Sequence, residues 1–411
     1  MNFSKYIVTF KKQIKAIIHL ALGKKSIYYK GLKKYDLIIY DDIFPHPVSG
    51  FRTEEYEVLL KSFPNSKLIT IPSAYKIVKT PQELHKVHIA RFSKEHPSIK
   101  HKITVQKRFN SINAKLFYCV FLNNIFKFVE LLEKKNIRFA FTLYPGGGFQ
   151  MNDSNSDANL KRVLSSPMFE KVLVTQKVTR DYLLKNNFCS EDKIEFIFGG
   201  VVPQKSLIKN LSNKKYYSKE KTTLDICFCA GKYMPKGLDK GYDVFIELAH
   251  LLHEKYSFIN FHIIGGFDET DIDVSKIKQN TTFYGYQKFE DLEKIFNTID
   301  IIISPNKPFL LGKGAFDGFP LGTVVEAALN GVLVLLSDSL QQNDTFVDKT
   351  EVIIIENNSD RIEKIISDLI QNPEQISKIA KKGTVKFQEV YSNDFQMKPR
   401  IELLKNCISK S

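Results

Sequence analysis

The stretch Lys313-Gly-Ala-Phe-Asp317-Gly318-Phe319-Pro320-Leu321-Gly322-Thr323-Val-Val-Glu326-Ala-Ala-Leu-Asn-Gly331 decides how this chain is read. A β-rich run over 299–305 feeds a loop punctuated by glycine and proline. Thr323 opens a short helix, Gly331 ends it, and 332–337 reads as the next buried strand. The unit places one acid before the helix and a second in its first turn. Unpaired backbone N–H groups at such a helix start suit a phosphate or sugar oxygen. Two carboxylates flanking those donors can hold the hydroxyls of a nucleotide-sugar. Thr323-x-x-Glu326 is equally a capping box, with Glu326 accepting from the Thr323 backbone N–H. Both readings stand on this stretch alone.

Asp317-Gly318-Phe319-Pro320, then Glu326-Ala327-Ala328, Gly331 and an aliphatic strand, resembles the signature of glycosyltransferase family 4. The usual pattern is Glu-Gly-Phe-x-x-x-x-x-Glu-Ala; here the first acid is Asp and the interval between acids is one residue longer. The resemblance extends over 224–340: Gly231-Lys232 after a strand, Lys240-Gly241 before a helix, a strand ending at Gly265, and Tyr284-Gly285-Tyr286. It implies the GT-B fold, an α/β architecture of two Rossmann-like doubly wound domains facing a central cleft. It also implies transfer of a sugar from a nucleoside diphosphate donor with retention at the anomeric carbon. On that resemblance Glu326 would bind the ribose hydroxyls and Asp317 the donor sugar. Lys232 and Lys240, with amides near Gly322 and Thr323, would neutralise the leaving diphosphate. Gly231, Gly265, Tyr286, Gly318, Phe319, Pro320 and Leu321 would complete the donor site. No covalent nucleophile stands out, and neither a cofactor nor an obligatory metal is expected.

The first half resembles the family only in the order of its pieces. A strand over 35–40 ends in Asp41-Asp42-Ile-Phe-Pro-His46-Pro-Val-Ser-Gly50-Phe-Arg52, ahead of a helix from Thr53 to about residue 62. Ligands in open α/β sheets bind at the carboxyl ends of strands. Asp41, Asp42, His46 and Arg52 are therefore acceptor-side candidates, with Asx turns and a surface ion pair as their structural alternative. Residues 116–135 read as a helix. A strand over 137–143 ends in Tyr144-Pro145-Gly146-Gly147-Gly148, whose three glycines let backbone approach a ligand closely. Family members often carry a His near this strand end; here Thr142 and Tyr144 occupy the neighbourhood. His85-x-x-His88 lacks the further ligands of a zinc site.

With 411 residues there is material for two domains, each burying its own core. The expected division is a basic segment at 1–30, an acceptor-side domain at 31–203, a polar linker at 204–222, a nucleotide-sugar domain at 223–390 and a final helix at 391–411 packing back toward the first domain. Cys119, Cys189, Cys227, Cys229 and Cys407 are odd in number and lack disulfide-like spacing, which fits a reducing cytoplasm. The net charge of +15 attracts nucleic acid, anionic lipid or phosphorylated substrates, and no nucleic-acid module stands out. No run is long enough to span a bilayer. Residues 3–22 alternate apolar and Lys positions at helical spacing, as in a helix lying on an anionic membrane surface or docked on the first domain. A lipid-linked (polyprenyl) saccharide or another glycan is the expected acceptor, met at the inner face of the cell membrane. The rivals are a sugar-nucleotide epimerase or hydrolase on the same fold, and a non-catalytic basic membrane-binding protein with a degenerate nucleotide site.

Overall fold

The computed structural model describes residues 33–106, 109 and 112–410. The basic segment at 3–22 lies outside them. Two all-parallel sheets form the chain. The first contains β1 (Tyr35–Asp41), β2 (Ser66–Thr70), β3 (Ile103–Val105), β4 (Ala114–Val120), β5 (Arg138–Leu143), β6 (Phe169–Val174) and β7 (Ile194–Phe196), in the order β3-β2-β1-β4-β5-β6-β7. The second contains β8 (Leu224–Cys229), β9 (Ile259–Ile264), β10 (Thr281–Gly285), β11 (Ile301–Ser304), β12 (Leu333–Ser337) and β13 (Ile353–Ile355), in the order β10-β9-β8-β11-β12-β13. Strand order reverses between β1 and β4 and again between β8 and β11. Each reversal opens a crevice at the strands' carboxyl ends, where ligands bind in such sheets.

Helices cover both faces of each sheet, so the strands are apolar on both sides. In the second sheet Ile226, Phe228, Ile301, Ile303, Leu333 and Leu335 enter one core, and Cys227, Cys229, Ile302, Val334 and Leu336 enter the other. This strict alternation follows from the two-residue period of a strand.

Residues 116–135 are not one helix. Ala114–Val120 is a central strand paired with both β1 and β5, and two short helices, Leu122–Phe126 and Val129–Lys135, follow it. An apolar run buried on both faces has no period to separate strand from helix. Its β-branched and aromatic content, Leu-Phe-Tyr-Cys-Val, was the better guide. Phe121, with φ at +76°, turns the chain out of the strand.

The polar stretch at 204–222 packs as a strap on the second domain. Lys209 Nζ donates to Glu293 at 2.8 Å, and Lys214 Nζ donates to the Phe296 and Ile299 carbonyls at 2.7 and 2.9 Å. Tyr216 Oη donates to the Gly331 carbonyl at 2.8 Å. Lys214 thus satisfies carbonyls at and just beyond the end of the helix Phe289–Phe296.

The chain returns through the helices Glu374–Val390 and Asn393–Ser409. Met397, Leu403, Leu404 and Cys407 of the last helix share a core with Leu37, Ile39, Leu116 and Tyr118 of the first sheet. Gln396 Nε2 donates to the Phe198 carbonyl at 2.7 Å, pinning the return to the outgoing crossing.

Candidate active site

The second sheet's crevice lies between the ends of β8 and β11. Gly241, at φ +70°, presses against the exit of β11; a Cβ there would sit 2.0 Å from the Pro305 carbonyl oxygen. This close approach carries the preceding Lys240 across to the 305–321 loop, where its Nζ bonds the Asp317 carboxylate. Lys240 is enclosed, 3.6 Å from Asp239 and 4.9 Å from the Tyr233 ring centre. Neither Asp239 oxygen has a hydrogen-bond partner among the described residues, and burial pushes that carboxyl above its ordinary value, with Lys240 opposing. Lys232 Nζ bonds Asp271, and its backbone N–H donates to the exposed Tyr286 hydroxyl at 3.4 Å. Gly265, at φ +129°, lies where a Cβ would meet the Ala230 carbonyl oxygen at 2.0 Å, so the ends of β8 and β9 stay close beside Gly231. Both lysines are therefore held by carboxylates that a diphosphate would displace.

The helix Gly322–Leu329 starts against the same strand end, because Thr323 Oγ1 donates to the Cys229 carbonyl at 2.8 Å. No side chain caps this helix. The capping box is thus not formed, and the first-turn amides are left for a ligand. Glu326 is buried beneath them, 4.0 Å from Lys209 on the strap. The Ser206 hydroxyl lies beside the Glu326 carboxyl, and the Lys209 contact is to its Oε1. Burial pushes the Glu326 carboxyl up to about 7; Lys209 and the Ser206 hydroxyl oppose the shift and Glu293 adds to it.

The loop from 305 to 321 also bridges the two domains. The Met151 N–H donates to the Gly314 carbonyl at 3.0 Å. Gln176, just past β6, accepts from the Phe319 N–H at 2.9 Å and faces the Phe319 carbonyl at 3.5 Å. Phe316 enters the first domain's core, edge-on to Phe149 at 5.9 Å. Phe319 and Pro320 are buried, while Gly318 and Leu321 are partly exposed. Sequence reasoning missed Asp239, Asp271, Met151, Gln176 and Lys209 as members of this neighbourhood. Only Gln176 carried a usable signal, its place at a strand's carboxyl end.

The acceptor-side candidates separate into two groups. Asp41 has no exposed surface: Oδ1 accepts from the Ile43 and Phe44 N–H groups at 2.8 and 2.6 Å, and Oδ2 from Arg52 and the Tyr56 hydroxyl at 3.1 and 2.9 Å. Arg52 also bonds Asp42 at 2.8 Å. The Asp41–Arg52 pair is an enclosed brace of the β1 loop rather than a surface ion pair. Tyr144 is likewise enclosed, its hydroxyl 3.3 Å from a Glu55 carboxylate that Tyr118 also binds. His46 accepts from the Val48 N–H at Nδ1, which leaves the proton on Nε2 facing Thr80 Oγ1 at 3.0 Å. Asp42 is partly open, and Gly146 and Gly147 are exposed. Gly147 and Gly148, at φ +56° and +95°, lie flat over Phe121 and Asn123, where a Cβ would come within 2.2 and 2.1 Å. Among the described residues no group of three His, Cys, Asp or Glu is placed to hold a metal.

This arrangement can grip a diphosphate with two lysines and helix amides, and hydroxyls with Asp317 and Glu326. Where the leaving group is a diphosphate, its charge grows toward the transition state, so Lys240→Ala and Lys232→Ala are expected to lower kcat more than donor affinity. Steady-state kinetics beside nucleotide titration checks this. Equal losses of donor and free-nucleotide affinity at unchanged kcat would make the lysines ground-state binders.

Residues 218–386 match the family model described as glycosyl transferases group 1. No curated protein matches the chain. Among solved structures, a glycosyltransferase from Rickettsia africae ESF-5 is similar at 16% identity and TM-score 0.64, over 92% of this chain and 100% of that one. Sucrose-phosphate synthase from Thermosynechococcus elongatus is similar at 13% identity and TM-score 0.62, with the same coverage. Anabaena HepE, in complex with UDP and glucose, is similar at 12% identity and TM-score 0.60, again over 92% of this chain and 100% of that one. At these identities the likeness speaks for the fold, two parallel-sheet domains in the GT-B arrangement. With residues 218–386 matching the group 1 model inside that fold, the chain is a glycosyltransferase.

Proposed function

We propose that the protein is a family 4 enzyme that moves a sugar, with retention, from a nucleoside diphosphate donor to a saccharide or polyprenyl-linked saccharide in surface polysaccharide synthesis. The observation that carries this reading is the 305–321 loop, which holds Asp317 on Lys240 while its neighbours Phe316 and Phe319 are fixed on the opposite domain. In this reading donor and acceptor sides meet at one carboxylate. The UDP and glucose bound by Anabaena HepE support a donor of that class. In this reading Glu326 holds the ribose hydroxyls, and Lys232, Lys240 and the Gly322 and Thr323 amides hold the diphosphate. The acceptor oxygen bonds to the anomeric carbon on the face from which the diphosphate departs. The bond to the phosphate oxygen breaks, and that oxygen takes the acceptor proton. Two lysines and helix amides supply the charge stabilisation, so turnover is expected to persist in EDTA. Work at the cytoplasmic face of a membrane fits the basic charge, and no helix of the described residues is long and apolar enough to cross one.

The test is incubation with UDP-, GDP- and ADP-sugars, with and without a polyprenyl-diphosphate saccharide, reading product and anomeric configuration by NMR. Transfer with retained configuration supports the reading. Inversion overturns the retaining mechanism, and hydrolysis or epimerisation that ignores every acceptor overturns the transferase role.

A further inference from the structure

We propose that the rim of the first domain formed by residues 46–94 docks on an anionic lipid surface. This deepens the proposed function, on which the lipid-linked acceptor rests. Val48, Ile77, Leu84 and Val87 are large apolar side chains exposed by 63, 81, 40 and 59%. They belong to one patch because their neighbours pack together. The His46 ring meets Tyr75 and His88 edge-on at 4.9 and 5.2 Å, and Tyr75 Oη bonds His88 Nδ1 at 2.9 Å. Val48 and Ile77 each follow that cluster by two residues, and Val87 precedes His88. Leu84 and Val87 stand one turn apart on the outward face of the helix Leu84–Glu95. Scattered apolar residues need no explanation, but a contiguous set rimmed by charge marks an interaction surface.

The charge identifies the partner. Lys76, Lys79, Lys86, Arg91 and Lys94 are all exposed around the patch, against the acids Glu83 and Glu95 and, near Arg91, Glu290 of the second domain. Arg91 and Glu95 pair with each other at 2.9 Å, so the remaining field is positive. An apolar tip ringed by long basic side chains suits a bilayer interface, where apolar groups enter the acyl boundary and lysines reach phosphates. The patch is built from the turns after β1 and β2 and the helix Leu84–Glu95 that follows, beyond the carboxyl ends of those strands, the same edge that faces the cleft. The donor loop rests on elements following β5 and β6. From β2 to β5 is three strand spacings, roughly 14–15 Å. A saccharide whose lipid tail stays in the bilayer would enter the cleft over this rim, past Asp42 and the Gly146–Gly147 backbone.

Flotation of the full chain on phosphatidylglycerol-rich and on pure phosphatidylcholine vesicles tests the surface. Each basic residue near an anionic surface contributes about fivefold in partitioning. Both Ile77→Asp/Val87→Asp and Lys76→Glu/Lys79→Glu are therefore expected to lower binding to phosphatidylglycerol vesicles at least about tenfold. Thermal midpoints should stay put, since all four residues are exposed. Val385→Asp, at a 66% exposed position on the second domain, should float like the parent. Repeating the series without residues 1–22 removes any contribution from that segment. Unchanged flotation of both double variants in the full and the shortened chain overturns the proposal. So does loss of self-association, or of binding to another protein, with lipid binding intact. A chain that floats through this patch yet transfers no sugar would sink the proposed function and leave the docking surface standing.

Discussion

Glu326→Gln is expected to raise the thermal midpoint at pH 8 while cutting nucleotide-sugar turnover by about 10- to 100-fold. The two effects share one cause. The Glu326 carboxyl is buried, with Oε1 4.0 Å from Lys209, and burial outweighs that cation and pushes its pKa up to about 7. Ionising it in that site at pH 8 costs on the order of 3 kcal/mol relative to the unfolded chain. A neutral amide of the same shape avoids that cost. Lys209 keeps its partner Glu293 at 2.8 Å, so the exchange strands no cation. The gain should be a few degrees in a chain of this size. The loss of turnover follows if Oε1 accepts a ribose hydroxyl, because a charged acceptor forms the stronger bond. Glu326→Ala should fold as well, and remove turnover more completely. Near-normal turnover in a well-folded Glu326→Ala protein would end the ribose assignment.

The same group fixes a pH dependence. Its folded pKa lies above its unfolded value, so between about pH 4.5 and 7 the folded form keeps a proton that the unfolded chain has released. Its stabilising contribution is complete below that window and is lost as pH rises through 7. A hydroxyl donated by a nucleotide favours the carboxylate, so nucleotide affinity should rise over the same interval with release of a proton. Calorimetry in buffers of different ionisation heat reads that proton directly, and Glu326→Gln should abolish it.

How far the sequence carried this reading depends on the element. The order of pieces from β8 to β12 was legible because β8 to β11 are short apolar runs closed by glycine or proline, with helices following β8, β10 and β11. β4 was misread because a strand buried on both faces looks like a buried helix. In the polar stretch at 204–222 the packing was not legible, because Lys214 binds the carbonyls of Phe296 and Ile299, distant in sequence. At the site, the positions of Lys240 and Asp317 were legible but their mutual bond was not, since it depends on Gly241 lying against Pro305. Asp41 shows the limit most clearly. A strand-end acid beside His and Arg has the composition of a binding loop, and only coordinates reveal that two backbone N–H groups, a tyrosine and an arginine already fill its oxygens.

Gly314→Ala should lower kcat by about 100-fold while leaving nucleotide affinity almost unchanged. Gly314 sits at φ +74°, a region that costs an L residue about 1 kcal/mol. The added Cβ would lie 1.6 Å from the Met151 carbonyl oxygen, an atom held by backbone and unable to swing aside. The loop must therefore lift from the first domain, breaking the Met151–Gly314 bond and drawing Phe316 away from Phe149. Asp317 follows Phe316 directly, so it moves from the acceptor side with it. A displacement of about 1 Å at a reacting centre is enough for a loss of that size. Lys232 and Glu326 stand on the second domain and do not feel the change, which is why nucleotide binding should persist. Phe316→Ala removes the same anchor by another route and should shift kcat in the same direction without the backbone strain. Calorimetric nucleotide titration beside kcat separates the possibilities. A parallel fall in affinity would make the loop part of the donor pocket alone, and unchanged kcat in both variants would strip the bridge of any role in transfer.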